Sequence, residues 1–415
     1  MAVTFTDLTT AVPGDWERAA DTWLGLARES EEAAAAILER GRSKVDEHWT
    51  DEVGAEAGAR LDTLSTSYQT AAGTMHGVVS ILYGLADAVG PVQRSLQAAV
   101  DFATSNGLSV DAGGGVVVPP GWAGPPNVPG DADRLIREAV DSAARIDVQA
   151  RDQLDELAAA VFNEERDVAI DSIQGKASAA QVDLMAEALP IGQDAAAVAQ
   201  WWNSLSAEDQ AAFERSVPVE LYDLQGIPDD VKARLEGDGG YNAVEAVRWA
   251  RENAFNPNLD IYENNCANFV SHSLANAGLT EIPGSVTENG EEFEGWAGPA
   301  TTGITELDQH SATESWYNTE KQRAYFLDHG GSEVPLSGVR PGDIIYFEQA
   351  APDGPTAEGM VHHAAVVTSV TPDGDIHYTQ HTASRLDASL DGRLPTTEVV
   401  EGDQRVVAVR PDRTY

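Results

Sequence analysis

Few residues in this chain could carry covalent chemistry. Cys266 is the only cysteine, and it stands in Asn264-Asn265-Cys266-Ala267-Asn268-Phe269-Val270-Ser271. Phe269, Val270, Leu274 and Ala277 follow at helical spacing, and Gly278 is placed to stop the helix. Asn264 or Asn265 can cap its start by accepting from the orphan N–H groups of the first turn. Cys266 then sits at a helix N-terminus, where the partial positive charge favours the thiolate, which is the nucleophilic form. The competing reading is a buried, inert cysteine acting as a small hydrophobe.

A thiol nucleophile needs a base, and the base needs a partner that fixes its tautomer. Pro341-Gly342-Asp343-Ile344-Ile345-Tyr346-Phe347 reads as a turn feeding a strand. His362-His363-Ala364-Ala365-Val366-Val367-Thr368-Ser369-Val370 is a second strand opened by histidine, and Thr371 to Asp375 is a turn. Ile376-His377-Tyr378-Thr379-Gln380-His381-Thr382 is a third strand. Cysteine on a helix, histidine on one strand and a polar group on the next is the arrangement of papain-like hydrolases. His377 and His381 share a face by strand alternation.

Cys-Ala-Asn-Phe-Val-Ser, Gly-Asp-Ile-Ile-Tyr, His-Ala-Ala-Val-Val-Thr and Gln-His-Thr, in that order, resemble an amidase domain family related to the NlpC/P60 cell-wall peptidases. Tyr241 through Ala246 and Ser315-Trp316-Tyr317 resemble the same family's opening helix and tryptophan-bearing insert. The resemblance spans roughly residues 238–412. It implies Cys266 as nucleophile, His363 as base and His381 as the orienting third residue. His362 can replace His363 if the strand begins one residue earlier, and His377 is the rival of His381. The backbone N–H of Cys266 could donate to an oxyanion, with Asn265 as an alternative donor. No cofactor is implied. The histidines lack a metal-ligand pattern, so no metal site is expected.

These groups must be positioned by a chain of 415 residues, long enough for two or three domains. Asp and Glu number 68 against 26 Lys and Arg, a net charge of −42 spread along the chain. That argues against nucleic acid and anionic lipid as partners, and it would attract a cationic one such as a basic immunity protein or chaperone. One cysteine allows no internal disulfide, and no run of 18 consecutive apolar residues predicts a membrane span. The N-terminus shows no basic region with an apolar core, so no cleavable signal peptide is expected.

Residues 1–105 read as an all-α helical hairpin. Asp15 can cap a first helix that ends near Gly41. The second helix carries a seam of Leu61, Leu64, Tyr68, Ala71, Met75, Val78, Leu82, Leu85, Val89, Val92, Leu96 and Ala99 at alternating three- and four-residue steps. Pro91 should kink or break it. With Trp49 and Gly54 between the helices, the hairpin resembles the WXG100 family of type VII secretion substrates of actinobacteria and related bacteria. Tyr83 and Asp87 fit that family's Tyr-x-x-x-Asp export motif. Residues 106–132 read as a Gly/Pro-rich linker, 133–236 as a helical spacer with buried Trp201 and Trp202 and a Ser206 cap, and 237–415 as an α+β, papain-like domain. The insert at about 279–335, with Trp296 and Trp316, is a candidate wall or lid over the cleft.

The expected function is thiol-dependent amide or peptide hydrolysis, with peptidoglycan or a peptide as substrate. The protein would be cytoplasmic before export and secreted by a type VII route, as an antibacterial effector or a wall-remodelling enzyme. Its partners would be the secretion machinery or a WXG100-like protein. The alternatives are an acyltransferase or deamidase toxin acting on protein, and a binding module without activity.

Overall fold

The computed structural model describes residues 3–163, 179–286, 292–299, 311–351, 357–390 and 404–413. The chain separates into two compact units, one reaching Asp209 and the other beginning at Gln210. Helices build the first unit; a sheet with helices builds the second. The division falls inside the stretch expected as a spacer.

In the first unit, Thr4 and Asp7 form a capping box at the start of α1 (Phe5–Thr10). Pro13 opens α2 (Pro13–Ala36), its fixed φ suiting a first helical turn. Asp15 is therefore not the cap; it lies in the first turn, where its charge suits the helix dipole. Gly41 does not end the helix, which continues through a π-helical segment (Ile37–Arg42) into α3 (Ser43–His48). Asp51 caps the 54-residue α4 (Glu52–Ser105) by accepting from the Gly54 amide at 2.9 Å. A Cβ on Gly54 would lie 1.9 Å from the Trp49 carbonyl oxygen, so the chain needs glycine where the turn closes on itself.

The helix pair does not close on the expected leucine seam. Ala20, Ala27 and Ala34 are buried on α2 at seven-residue steps, and α4 matches them with buried Gly58, Ser65, Ala72, Val79 and Ala86. Ser65 donates to the Ala34 carbonyl at 3.1 Å. Small residues at the contact let two helix axes approach closely. Leu64 and Tyr68 of the expected seam are left 45% and 39% exposed, while Val89, Val92, Leu96 and Ala99 further along it are buried. Pro91 does not break α4; Gly90, Pro91 and Val92 are all buried within the continuous helix. By length and composition α4 could cross a membrane, and half of its most apolar window is buried inside this unit.

The Gly/Pro-rich stretch is a packed turn. β1 (Ser109–Val110) pairs antiparallel with β2 (Val116–Val117), and Trp122 donates to the Asn106 carbonyl at 2.8 Å. Val110, Val116 and Trp122 pack on Ala103, Leu108, Val128 and Ala132. Helix α5 (Val128–Asn163) therefore begins five residues earlier than the composition suggested. It is followed by α6 (residues 179–187) and α7 (Ala195–Ser204), with Trp201 and Trp202 buried as expected. Ser206 caps α8 (Ala207–Ser216) by accepting from the Asp209 amide at 3.1 Å.

The second unit continues with α9 (Pro218–Asp223), α10 (Asp229–Glu236), α11 (Ala243–Asn253) and α12 (Cys266–Asn276). The short pair β3 (Ser285–Val286) and β4 (Glu292–Phe293) comes next, then α13 (Glu314–Tyr317), α14 (Thr319–Asp328) and β5 (Ser332–Val334). The remaining strands are β6 (Ile344–Gln349), β7 (Val361–Val370), β8 (Ile376–Gln380), β9 (Arg385–Ser389) and β10 (Gln404–Arg410). Six of these strands form an antiparallel sheet in the order β5-β10-β6-β7-β8-β9. Phe269, Val270 and Leu274 of α12 pack with Tyr346, Ala364 and Val366 in one core cluster. Alternate residues of the same strands, Ile345, Phe347, Ala365, Val367 and Tyr378, build a second cluster. Trp296 and Trp316 are fully buried in the first cluster, so they anchor the insert and do not line a cleft. Residues 287–291 and 300–310 of that insert lie outside the described residues.

Candidate active site

Helix α12 begins at Cys266, as the spacing requires, but Asn265 does not cap it with its side chain. Asn265 turns back instead. Its Oδ1 accepts from the Ile261 and Tyr262 amides at 3.2 and 3.1 Å, and its Nδ2 donates to the Tyr262 carbonyl at 2.7 Å. The residue expected as cap or oxyanion donor is thus spent on shaping the approach to Cys266. At the other end, Gly278 takes φ +98°, the Leu279 amide reaches the Leu274 carbonyl and the Gly278 amide reaches that of Ala275, which is a Schellman stop.

The polar residues of the Cys-Ala-Asn-Phe-Val-Ser stretch hold the helix in place. Asn268 Oδ1 accepts from the Trp316 indole at 2.8 Å. Ser271 donates to the Trp316 carbonyl at 2.8 Å and accepts from the Trp296 indole at 2.9 Å. Gln322 donates to the Ala267 carbonyl and to Ser271, at 2.8 and 2.7 Å. Buried polar groups are tolerable when satisfied in this way, and a satisfied network fixes one geometry. Gln322 was missed at the sequence level because nothing local marks a glutamine on a short helix as the partner of a distant one.

Cys266 is 4% exposed. Burial alone pushes its thiol upward. The opposing effects are larger together: the charge of His363, a hydrogen bond from it, and the backbone N–H groups of Ala364 and Ala267 hold the thiol below its ordinary value. His363 Nε2 lies 2.7 Å from Gln380 Oε1, and the Gln380 amide nitrogen donates to the Ala383 carbonyl at 2.8 Å. The second contact fixes which end of the amide is oxygen. An acceptor at Nε2 places the ring proton there and leaves Nδ1 as the proton-accepting nitrogen of the ring.

His381, expected as the third residue, faces elsewhere. Its Nδ1 lies 2.8 Å from the Ala254 carbonyl and its Nε2 2.9 Å from Asp260 Oδ1, and its ring stacks on Phe269. The strand expected to run to Thr382 ends at Gln380, so His381 stands in the turn beyond it, while Gln380, the last strand residue, reaches His363. His362 is the additional residue of a bulge: Phe347 pairs with His363 and Glu348 with Val361, so the register slips between them. Bulges re-aim the side chains beside them. His377 is fully buried, with Nδ1 3.0 Å from the Asp387 carbonyl and Nε2 3.3 Å from Asp375. Tyr83 and Asp87 lie in the first unit, where Tyr83 donates to Asp21 at 2.6 Å and Asp87 accepts from Gln181 at 2.8 Å.

A helix-borne thiol, an imidazole on the adjoining strand and an amide behind it can carry out acyl transfer at a carbonyl. No curated protein and no solved structure matches the chain. Residues 240–401 match the family described as "Putative amidase domain". That stretch contains Cys266, His363 and Gln380.

Proposed function

We propose that the second unit is a cysteine amidase of papain-like type, with Cys266 as nucleophile, His363 as general base and Gln380 as the group that orients it. The observation that carries this reading is the relay from Gln380 through His363 to Cys266, which depresses the thiol against its own burial. The Cys266 sulfur attacks the amide carbonyl carbon while His363 holds the thiol proton. The C–N bond of the tetrahedral intermediate breaks, and His363 passes that proton to the departing amine. Water then attacks the thioester, His363 accepts a proton from it, and the thiol is released with the carboxylic acid. The amide N–H of Cys266, at the start of α12, is suited to the developing oxyanion because first-turn donors have no partner in their own helix.

Bacterial peptidoglycan is the substrate class we favour, on the resemblance to cell-wall peptidases. Export by a type VII route rests on the helical hairpin, on Trp49 with Gly54, and on Tyr83 with Asp87 one helical turn apart. The test of the enzyme is incubation of the full chain, beside Cys266→Ala, with peptidoglycan digests, read by mass spectrometry. Fragments cut at one amide, absent with the alanine form, support the reading. No cleavage by a folded protein whose Cys266 still alkylates would replace peptidoglycan by a protein or amine acyl acceptor. Export is tested separately: Tyr83→Ala with Asp87→Ala should retain the protein in a host carrying the secretion machinery, and undiminished secretion would overturn that part.

A further inference from the structure

The rings of Tyr262 and Tyr317 stack with centroids 4.6 Å apart and planes within 19°. Both side chains are only half-buried, unlike the tryptophans beside them. Tyr262 belongs to the segment that Asn265 ties down immediately before Cys266. Tyr317 follows Trp316, whose indole and carbonyl are bonded to Asn268 and Ser271 of the cysteine helix. Two residues later Thr319 donates to the Val361 carbonyl at 3.0 Å, at the first residue of the strand that bears His363. The run from Trp316 to Thr319 therefore bridges the cysteine helix and the histidine strand, and Tyr317 lies midway along it. Both rings are held by backbone and buried anchors, not by loose chain ends.

We propose that Tyr262 and Tyr317 form the wall of a substrate subsite beside Cys266 that selects a planar or ring-shaped group next to the scissile amide. The proposal rests on Cys266 being the nucleophile. Aromatic faces hold rings by offset stacking and dispersion, and fixed rings do so without a large ordering cost. Burial, then the neighbouring Tyr317, pushes the Tyr262 phenol up to about 12, so that ring stays uncharged throughout the neutral range.

The chain has one cysteine, so alkylation of the whole protein reports on Cys266 alone. Rates are compared for iodoacetamide and an N-aryl iodoacetamide, each divided by its rate with a free thiol. The aryl reagent should be favoured in the parent, and that preference should fall by roughly two- to tenfold in Tyr262→Leu and Tyr317→Leu. Tyr317→Phe, which keeps the ring, should retain it. The plain reagent should react alike in all forms, which shows that the fold and the thiol are intact. An unchanged aryl preference in both leucine variants overturns the wall alone. A parent Cys266 inert to iodoacetamide overturns the nucleophile first, and the wall with it.

Discussion

His363 and Gln380 are joined through Nε2 and Oε1 at 2.7 Å, and the far end of the glutamine amide is pinned by the Ala383 carbonyl. The bond should matter most when the imidazole becomes charged. A hydrogen bond to a charged group contributes about 1.5–3 kcal/mol, which is roughly 10- to 150-fold in rate. Gln380→Ala is expected to lose that much kcat with little change in KM. Gln380→Glu keeps an acceptor and should retain most activity, with the basic limb of the pH profile moved upward. Equal damage from both variants would reduce Gln380 to packing.

The depressed Cys266 thiol makes its reactivity pH-dependent in a defined direction. A lowered value means that thiolate persists to lower pH than in a free cysteine, whose ordinary value is about 8.5. Alkylation of the parent should titrate below that range, and in His363→Ala it should move above the parent's midpoint, because burial is then less opposed. The linkage sign agrees: the stabilising contribution of the pair is present above the unfolded thiol's value and is lost as pH falls through the folded one. Identical alkylation profiles for the two proteins would remove His363 from the site.

Trp316→Phe deletes the donor to the buried Asn268 Oδ1 while keeping an aromatic ring. Leaving a buried acceptor short of its partner costs about 1–3 kcal/mol. A lowered denaturant midpoint for the second unit, together with slower Cys266 alkylation, is the expected result. A stability loss with no change at the thiol would mean that the network supports the fold but not the site.

The small-residue seam can be separated from the leucine positions by mutation. Ala27→Leu inserts a large side chain where α2 is fully buried, and overpacking of this kind costs about 1–3 kcal/mol. Leu64→Ser, at a 45% exposed site, should stay within about 0.5 kcal/mol of the parent. Thermal unfolding by circular dichroism decides between them, and the reverse order would restore the leucine seam as the contact.

Much of this was legible in the sequence. The cysteine helix, its glycine stop and the strands of His363 and Gln380 follow from spacing and turn residues. What failed was choice among near-equivalents. Gln380 and His381 differ by one residue, but the strand ends between them, and no local pattern fixes that boundary. The same holds for His362 and His363, where a bulge decides. Asn265 looked like a cap because short polar side chains serve either a helix amide or a preceding turn, and tertiary context selects the turn. The leucine seam misled because hydrophobic periodicity rewards large residues, whereas these helices meet through alanine, serine and glycine.

Helix α4 is supported unevenly along its length. At 1.5 Å per residue its 54 residues run about 80 Å. The half carrying Val89, Val92, Leu96 and Ala99 is packed deep among helices, while the half carrying Val53, Leu64 and Tyr68 keeps large apolar groups in water. A rod of this kind need not open all at once. Its leading end should exchange amide hydrogens far sooner than its trailing end, and fraying should advance from Glu52 toward Pro91 and slow there. The hairpin then behaves as a graded zipper, with a loose tip that can yield to a pulling force and a core that yields last.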